Sequence, residues 1–199
     1  MVVQSLLRIA TTLGVFHLAI TTTALGQRNV ESDFVGRGAI HVLNTTNLTT
    51  ASPSDRIGCL NAHGMLTAND CAVFTRLDDL PHALYSEAGN CSFRNPDMPT
   101  NTDSVYGRNT HAWSCGGKRE DNVVEYYYTM NGFKYPLVCN GNLNCWYDIY
   151  AKLPTDDSEP LPVWAFYWGS HQADVPNGHW RVLWLWVQVP GGSSDPGQA

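Results

Sequence analysis

The stretch HWRVLWLWVQV, residues 179–189, limits the fold more than any other part of the chain. Successive side chains of an extended strand point to opposite faces. Trp180, Val182, Trp184 and Trp186 therefore share one face, and Leu183, Leu185, Val187 and Val189 share the other. A strand apolar on both faces belongs in the middle of a sandwich or barrel, or beneath a covering loop. PVWAFYWG, residues 162–169, has the same character, and the two runs read as a hairpin closed by SHQADVPNG. Most tryptophans of these runs are expected in the core, since burying one aromatic ring removes roughly 150–250 Å² from water.

Nothing between Arg56 and Val189 carries apolar residues at helical spacing over a long segment. Short apolar or aromatic runs punctuated by Gly, Asn, Pro and Asp recur instead, which is the pattern of an all-β chain. In VVEYYYTMNGFKYPLVC, Asn131-Gly132 is the cue for a tight type I′ turn between two strands. CLNAHGMLT reads as a second hairpin with Ala62-His63-Gly64 near its tip, and CAVFTRL with ALYSEAGNCSF as a third pair. The expected body is one antiparallel β-sandwich or distorted barrel over residues 56–190, stapled by disulfides.

The first 26 residues carry one positive charge, at Arg8, and a short apolar stretch broken by Thr11, Thr12, His17 and Thr21 to Thr23, then Ala24-Leu25-Gly26. That stretch is too short and too polar to cross about 30 Å of hydrocarbon, so residues 1–26 read as a cleaved secretory signal. Residues 27–199 hold eleven Lys and Arg against eighteen Asp and Glu. An acidic chain with scattered basic residues argues against nucleic acid as a partner. PGGSSDPGQA at the other end has no apolar tail, so residues 191–199 read as a disordered tail and no membrane anchor is expected.

Six cysteines behind a secretory signal are read as disulfides. They allow 15 pairings, among which sequence alone does not choose. Spacing favours Cys59 with Cys71, Cys91 with Cys115, and Cys139 with Cys145 across the turn-rich NGNLN. Three sequons, at Asn44, Asn47 and Asn90, fit the same compartment. The first two lie in NTTNLTTASPSD, so residues 27–55 read as a flexible glycosylated arm.

Candidate sites are of three kinds. Exposed aromatic rings on or beside hairpins can stack on sugar faces, and Tyr126, Tyr128, Trp146, Tyr150 and Trp168 are placed to do so. His82, Glu87, Arg108 and His111 supply the proton-transfer and phosphate-neutralising groups of secreted guanyl-preferring ribonucleases, though without their local motifs. His171, Asp174 and His179 flank one turn, where two histidines and a carboxylate suit zinc or copper, but their spacing matches no metal signature. Neither a metal nor another cofactor is assigned. Asp78, Asp79, Asp103, Glu120, Asp121, Glu125 and Asp148 are the carboxylates a glycosidase would draw on, most of them in runs that read as solvated loops. The chain has no nucleophile elbow, phosphate loop, zinc-protease helix or dinucleotide fingerprint.

IGCLNAHGMLTANDCAVFT, AGNCSF and PTNTDSVYGRNTHAWSC resemble segments of small secreted, cysteine-containing, effector-like proteins of filamentous fungi. The resemblance covers roughly Arg56 to Cys115 and rests on cysteine spacing and the Asn-Thr-Asp-Ser turn. It implies secretion, an effector-like or cell-wall-associated role and a β-rich body, and it brings no catalytic residue with it. The expected function is non-enzymatic extracellular binding by a monomer, with cell-wall polysaccharide or a host surface molecule as partner. A secreted ribonuclease-like hydrolase is the alternative.

Overall fold

A computed structural model describes residues 33–77, 83–117, 125–141 and 144–190. The chain is all-β. Its strands are β1 (Arg37–Leu43), β2 (Arg56–Leu60), β3 (Leu66–Thr67), β4 (Phe74–Arg76), β5 (Leu84–Ser86), β6 (Gly89–Ser92), β7 (Ser114–Cys115), β8 (Tyr127–Thr129), β9 (Leu137–Asn140), β10 (Tyr147–Tyr150), β11 (Val163–Ala165) and β12 (His179–Gln188). A 3-10 turn, Pro53–Asp55, precedes β2. Every strand pair is antiparallel.

The main path through the sheet runs β11-β10-β12-β1-β4-β5-β6-β7, with β2 and β3 branching from β1, and β9 and β8 from β12. The sheet is not closed. It curls enough that the Trp113 N–H, just before β7, donates to Val163 C=O on β11 at 2.7 Å. All twelve strands thereby send at least one side chain into a single main core. Its centre is aromatic: Tyr147 stacks on Trp184 at 3.6 Å between centroids, and Trp113 meets Trp184 edge-on at 4.8 Å.

The double-faced pattern of residues 179–189 is explained by β12. Val182, Trp184 and Trp186 enter the main core, while Leu183 and Leu185 enter a smaller core with Leu43, Ala51 and Leu137. Leu48, Tyr135, Trp146 and Val187 close over that second core. The indole N–H groups of Trp184 and Trp186 are buried with no acceptor among the described residues, so burial of the rings outweighs about 1–3 kcal/mol for each unmet donor.

Three expectations are corrected. Residues 37–43 form a central strand rather than part of an arm. β1 pairs β12 from Gly38↔Gln188 to Leu43↔Leu183, and Ile40, Val42 and Leu43 are fully buried. The Thr- and Asn-rich stretch after it is a connection packed over the second core, with Ala51 buried and Thr46 C=O accepting from Trp146 Nε1 at 3.0 Å. PVWAFYWG and HWRVLWLWVQV are not a hairpin, because β10 lies between them, pairing Asp148 with Trp164 on one edge and with Arg181 on the other. Finally, β8 and β9 do pair around Asn131-Gly132, but their register ends at Thr129↔Val138. Residues 130–136 therefore form a longer loop in place of a two-residue turn.

The hairpin β2–β3 and the pair β4–β5 match their sequence cues, and β5 continues into a tight hairpin with β6 through Glu87-Ala88. The disulfides are Cys59–Cys71, Cys91–Cys115 and Cys139–Cys145. Residues 1–26, the tail 191–199, and His82, Asp78, Asp79, Glu120 and Asp121 lie outside the described residues.

Candidate functional site

Two loops at one end of the sheet build a surface unlike the rest of the molecule. The first, residues 101–110, is rich in Asn, Thr, Asp, Ser and Gly, which favour turns through short side-chain hydrogen bonds. Asn101 N–H donates to Thr110 C=O at 3.2 Å, closing the loop, and Gly107 N–H donates to Ser104 Oγ at 2.9 Å inside it. The second, residues 166–172, folds on itself through reciprocal Gly169 and Gln172 backbone bonds of 2.9 and 3.1 Å.

Side chains lock the two loops together. Gln172 Oε1 accepts the Val105 N–H at 2.6 Å, and Gln172 Nε2 reaches Ser104 Oγ at 3.3 Å. The Tyr106 hydroxyl accepts the His171 N–H at 2.9 Å and meets Ser170 Oγ at 3.3 Å. The packing is reciprocal as well: a Cβ on Gly169 would strike the Tyr106 ring, and one on Gly107 would meet Tyr167 Cδ2 at 3.3 Å. Glycine at both positions lets each ring lie against the opposite backbone. The result holds three aromatic rings in water, with Tyr106 40%, Tyr167 41% and Trp168 72% exposed.

Beside Ser104, Asp103 presents a half-exposed carboxylate to the same edge. Behind it His179, at the start of β12, is gripped between two acids: Nε2 lies 3.3 Å from Asp103 Oδ2 and Nδ1 lies 2.6 Å from Asp148 Oδ1. Asn101 Nδ2 donates to the other Asp148 oxygen at 2.8 Å. Burial pushes the Asp148 carboxyl above the usual aspartate range, against the opposing bonds from His179 and Asn101. The Tyr150 ring sits edge-on to His179 at 4.9 Å and to Trp164 at 5.1 Å. This stack holds the Asp103 carboxylate, which belongs to the same loop as Tyr106, but the His179 side chain itself is 1% exposed.

No family model, curated protein or solved structure matches the chain. Among the described residues, no helix is long and apolar enough to cross a membrane, and no cluster of three or more His, Cys, Asp or Glu is placed to hold a metal.

Of the five aromatic candidates, Trp168 belongs to this surface, and Tyr150 packs edge-on against His179 and Trp164 behind it. Tyr126 and Tyr128 stack on each other at 5.3 Å on β8 and its approach, and Trp146 lies half-buried over the second core with the Arg181 guanidinium 5.6 Å from its ring. His171, Asp174 and His179 do not converge, because Asp174 faces Arg181 at 3.6 Å and His179 is taken up by its two acids. In the ribonuclease-like set, Glu87 occupies the β5–β6 turn, Arg108 Nε donates to Val105 C=O at 3.2 Å, and His111 Nδ1 lies 2.9 Å from Met98 C=O. No contact joins these three, and His82 is outside the described residues. Asp148 and Glu125 depart from the expected solvated loops. Asp148 is 1% exposed, and Glu125 is drawn into a network with Tyr127, Phe93 and Asn140.

Tyr106, Tyr167 and the Asp103–His179–Asp148 chain were not singled out together by sequence. The one local cue was an aromatic residue followed by glycine in both loops, Tyr106-Gly107 and Trp168-Gly169. Elsewhere, a concavity of about 510 Å³ lies across β4 and β5 and is lined by Arg37, Asp70, Val73, Thr75, Tyr85 and Glu87 among others.

Proposed function

We propose that the chain is a secreted, non-enzymatic binding protein that recognises cell-wall polysaccharide through the two-loop aromatic surface. The observation that carries this reading is the 72% exposure of Trp168 on a loop locked to its neighbour by four hydrogen-bond contacts, with two further exposed tyrosines beside it. A large ring held in water on a rigid support is what sugar stacking requires, since the apolar face of a pyranose covers the ring and little ordering entropy remains to be lost. Asp103 adds a fixed acceptor for sugar hydroxyls.

Three disulfides support passage through an oxidising compartment, as does the resemblance to small secreted fungal proteins. Cleavage after residue 26 and glycans on Asn44, Asn47 and Asn90 belong to the same proposal. All three asparagines are exposed, and Asn47 Oδ1 already accepts from the Thr49 hydroxyl of its own sequon at 2.7 Å. Hydrolysis is disfavoured at this surface because the histidine held between acids is screened from any substrate.

The test is retention of the purified secreted protein on insoluble chitin, β-glucan and cellulose. Binding to at least one polymer is expected, and Trp168→Ala should weaken it by about 0.5–1.5 kcal/mol, the worth of one aromatic contact. The same change should leave the unfolding free energy within about 0.5 kcal/mol of wild type, since the ring is mostly in water. No retention of the wild-type protein on any of the polymers would overturn the proposal.

A further inference from the structure

The 510 Å³ cleft across β4 and β5 has an address in the strand register. Arg37 stands opposite Thr75, Thr75 opposite Tyr85, and Tyr85 opposite Asn90, so these four residues form one row across β1, β4, β5 and β6. Directly opposed side chains lie on the same face with Cβ atoms about 4.5–5.5 Å apart. Arg37, Thr75 and Tyr85 line the cleft, and Asn90, the asparagine of the sequon Asn90-Cys91-Ser92, ends the row. Tyr85 leaves 43% of its surface in water, and Asn90 is exposed.

The walls are polar and unmet. Among the described residues, the side chains of Arg37, Asp70 and Glu87 have neither an ion-pair nor a hydrogen-bond partner, although all three line the same concavity. Charged planar groups around an exposed aromatic ring suit a sugar: the ring takes the apolar face, and the guanidinium and carboxylates take hydroxyl and acetamide groups.

We propose that this cleft is the cradle of a glycan carried by Asn90, whose β-linked N-acetylglucosamine units lie on Tyr85 and hydrogen-bond to Arg37, Asp70 and Glu87. The inference rests on the secretion reading, because the donor is a lipid-pyrophosphate-linked oligosaccharide of the secretory pathway. In the transfer, the Asn90 amide nitrogen bonds to C1 of the reducing-end sugar. The lipid pyrophosphate leaves with the electrons of the broken C–O bond, and the amide gives up one proton. Transfer precedes folding: in the folded chain Ser92 is 3% exposed and its Oγ accepts the Arg94 N–H, and Cys91 is tied to Cys115. The sheet then closes beside a sugar already attached.

The experiment uses the full chain secreted from a glycosylating eukaryotic host, with Asn90→Gln, Tyr85→Ala and the double variant. Peptide mass spectrometry is expected to find a glycan on Asn90. Losing it should lower the unfolding temperature by about 2–4 °C when Tyr85 is present and by clearly less in the Tyr85→Ala background. A nuclear Overhauser contact between an N-acetyl methyl and the Tyr85 ring is the direct readout. A bare Asn90 in material glycosylated at Asn44 or Asn47 overturns the cradle while leaving the secretion reading intact. An equal temperature loss in both backgrounds overturns it too. Failure of the chain to leave the cell removes both. If free N,N′-diacetylchitobiose perturbs Tyr85 in Asn90→Gln protein whose parent carries no Asn90 glycan, the sugar is of outside origin and the own-glycan assignment falls.

Discussion

Glu125 ties one titration directly to folding. Its Oε1 accepts the Phe93 N–H at 2.8 Å, and its Oε2 accepts from the Tyr127 hydroxyl at 2.7 Å and from Asn140 Nδ2 at 3.1 Å. Tyr127 in turn accepts from Trp113 Nε1 at 2.6 Å, so the chain of bonds ends in the main core. Burial pushes the Glu125 carboxyl above the usual glutamate range, against the hydrogen bonds from Tyr127, Phe93 and Asn140 and the charge of Arg94. The folded chain therefore holds this proton more tightly than the unfolded one does. Its stabilising contribution is complete below the unfolded value and is lost as pH rises through the folded value. Glu125→Gln cannot titrate, and it turns an amide toward two donors, which at its largest costs about 1–3 kcal/mol. Urea midpoints taken from pH 4 to 7 should show that cost largest in acid and shrinking as pH rises. A gap that widens with pH would mean the carboxylate is favoured by folding, contrary to this account.

At the scale of elements, β7 depends on its bridge. It has two residues, and its pairing with β6 consists of Cys91↔Cys115 and Ser92↔Ser114. The Cys91–Cys115 bridge spans 24 residues, against 12 for Cys59–Cys71 and 6 for Cys139–Cys145. Loop-closure entropy then ranks their removal at about 3.4, 2.8 and 2.2 kcal/mol. Paired Cys→Ala variants measured by chemical denaturation should follow that order, with hydrogen exchange rising first at β7 when its bridge is lost. A smallest effect from Cys91 and Cys115 would contradict it. This bridge scheme was legible because neighbouring cysteines bracket turn-rich segments, as was β12, whose two apolar parities admit no other environment. β1 was not legible, because RGAIHVL runs straight into a sequon-rich stretch that reads as disordered. β10 was missed because YDIY is four residues long and holds an acid, which reads as surface until His179 and Asn101 supply partners. The platform escaped for a different reason: Ser104 and Gln172 are 68 residues apart, and their contact exists only in the folded chain.

The whole molecule is organised by the pairing of β1 with β12, two strands from opposite ends of the described chain. Because Leu183 and Leu185 face one core and Val182, Trp184 and Trp186 the other, neither core can come apart without disturbing the strand that serves both. This predicts one cooperative transition, even though the second core is small and capped largely by a loop. Leu183→Ala is the sharp test. The residue is fully buried in the second core, so its truncation should cost about 2–5 kcal/mol. Tryptophan fluorescence reports chiefly on the main core, where Trp113 and Trp184 are fully buried, whereas far-ultraviolet circular dichroism reports on the sheet as a whole. In a shared unit both signals shift to the same lower midpoint, and the denaturant slope is unchanged because the same surface is exposed. Were the second core an independent layer, Leu183→Ala would split the curves: dichroism would move while fluorescence stayed at the wild-type midpoint. The two arrangements thus differ in a single equilibrium experiment, and the register from Gly38↔Gln188 to Leu43↔Leu183 requires the first.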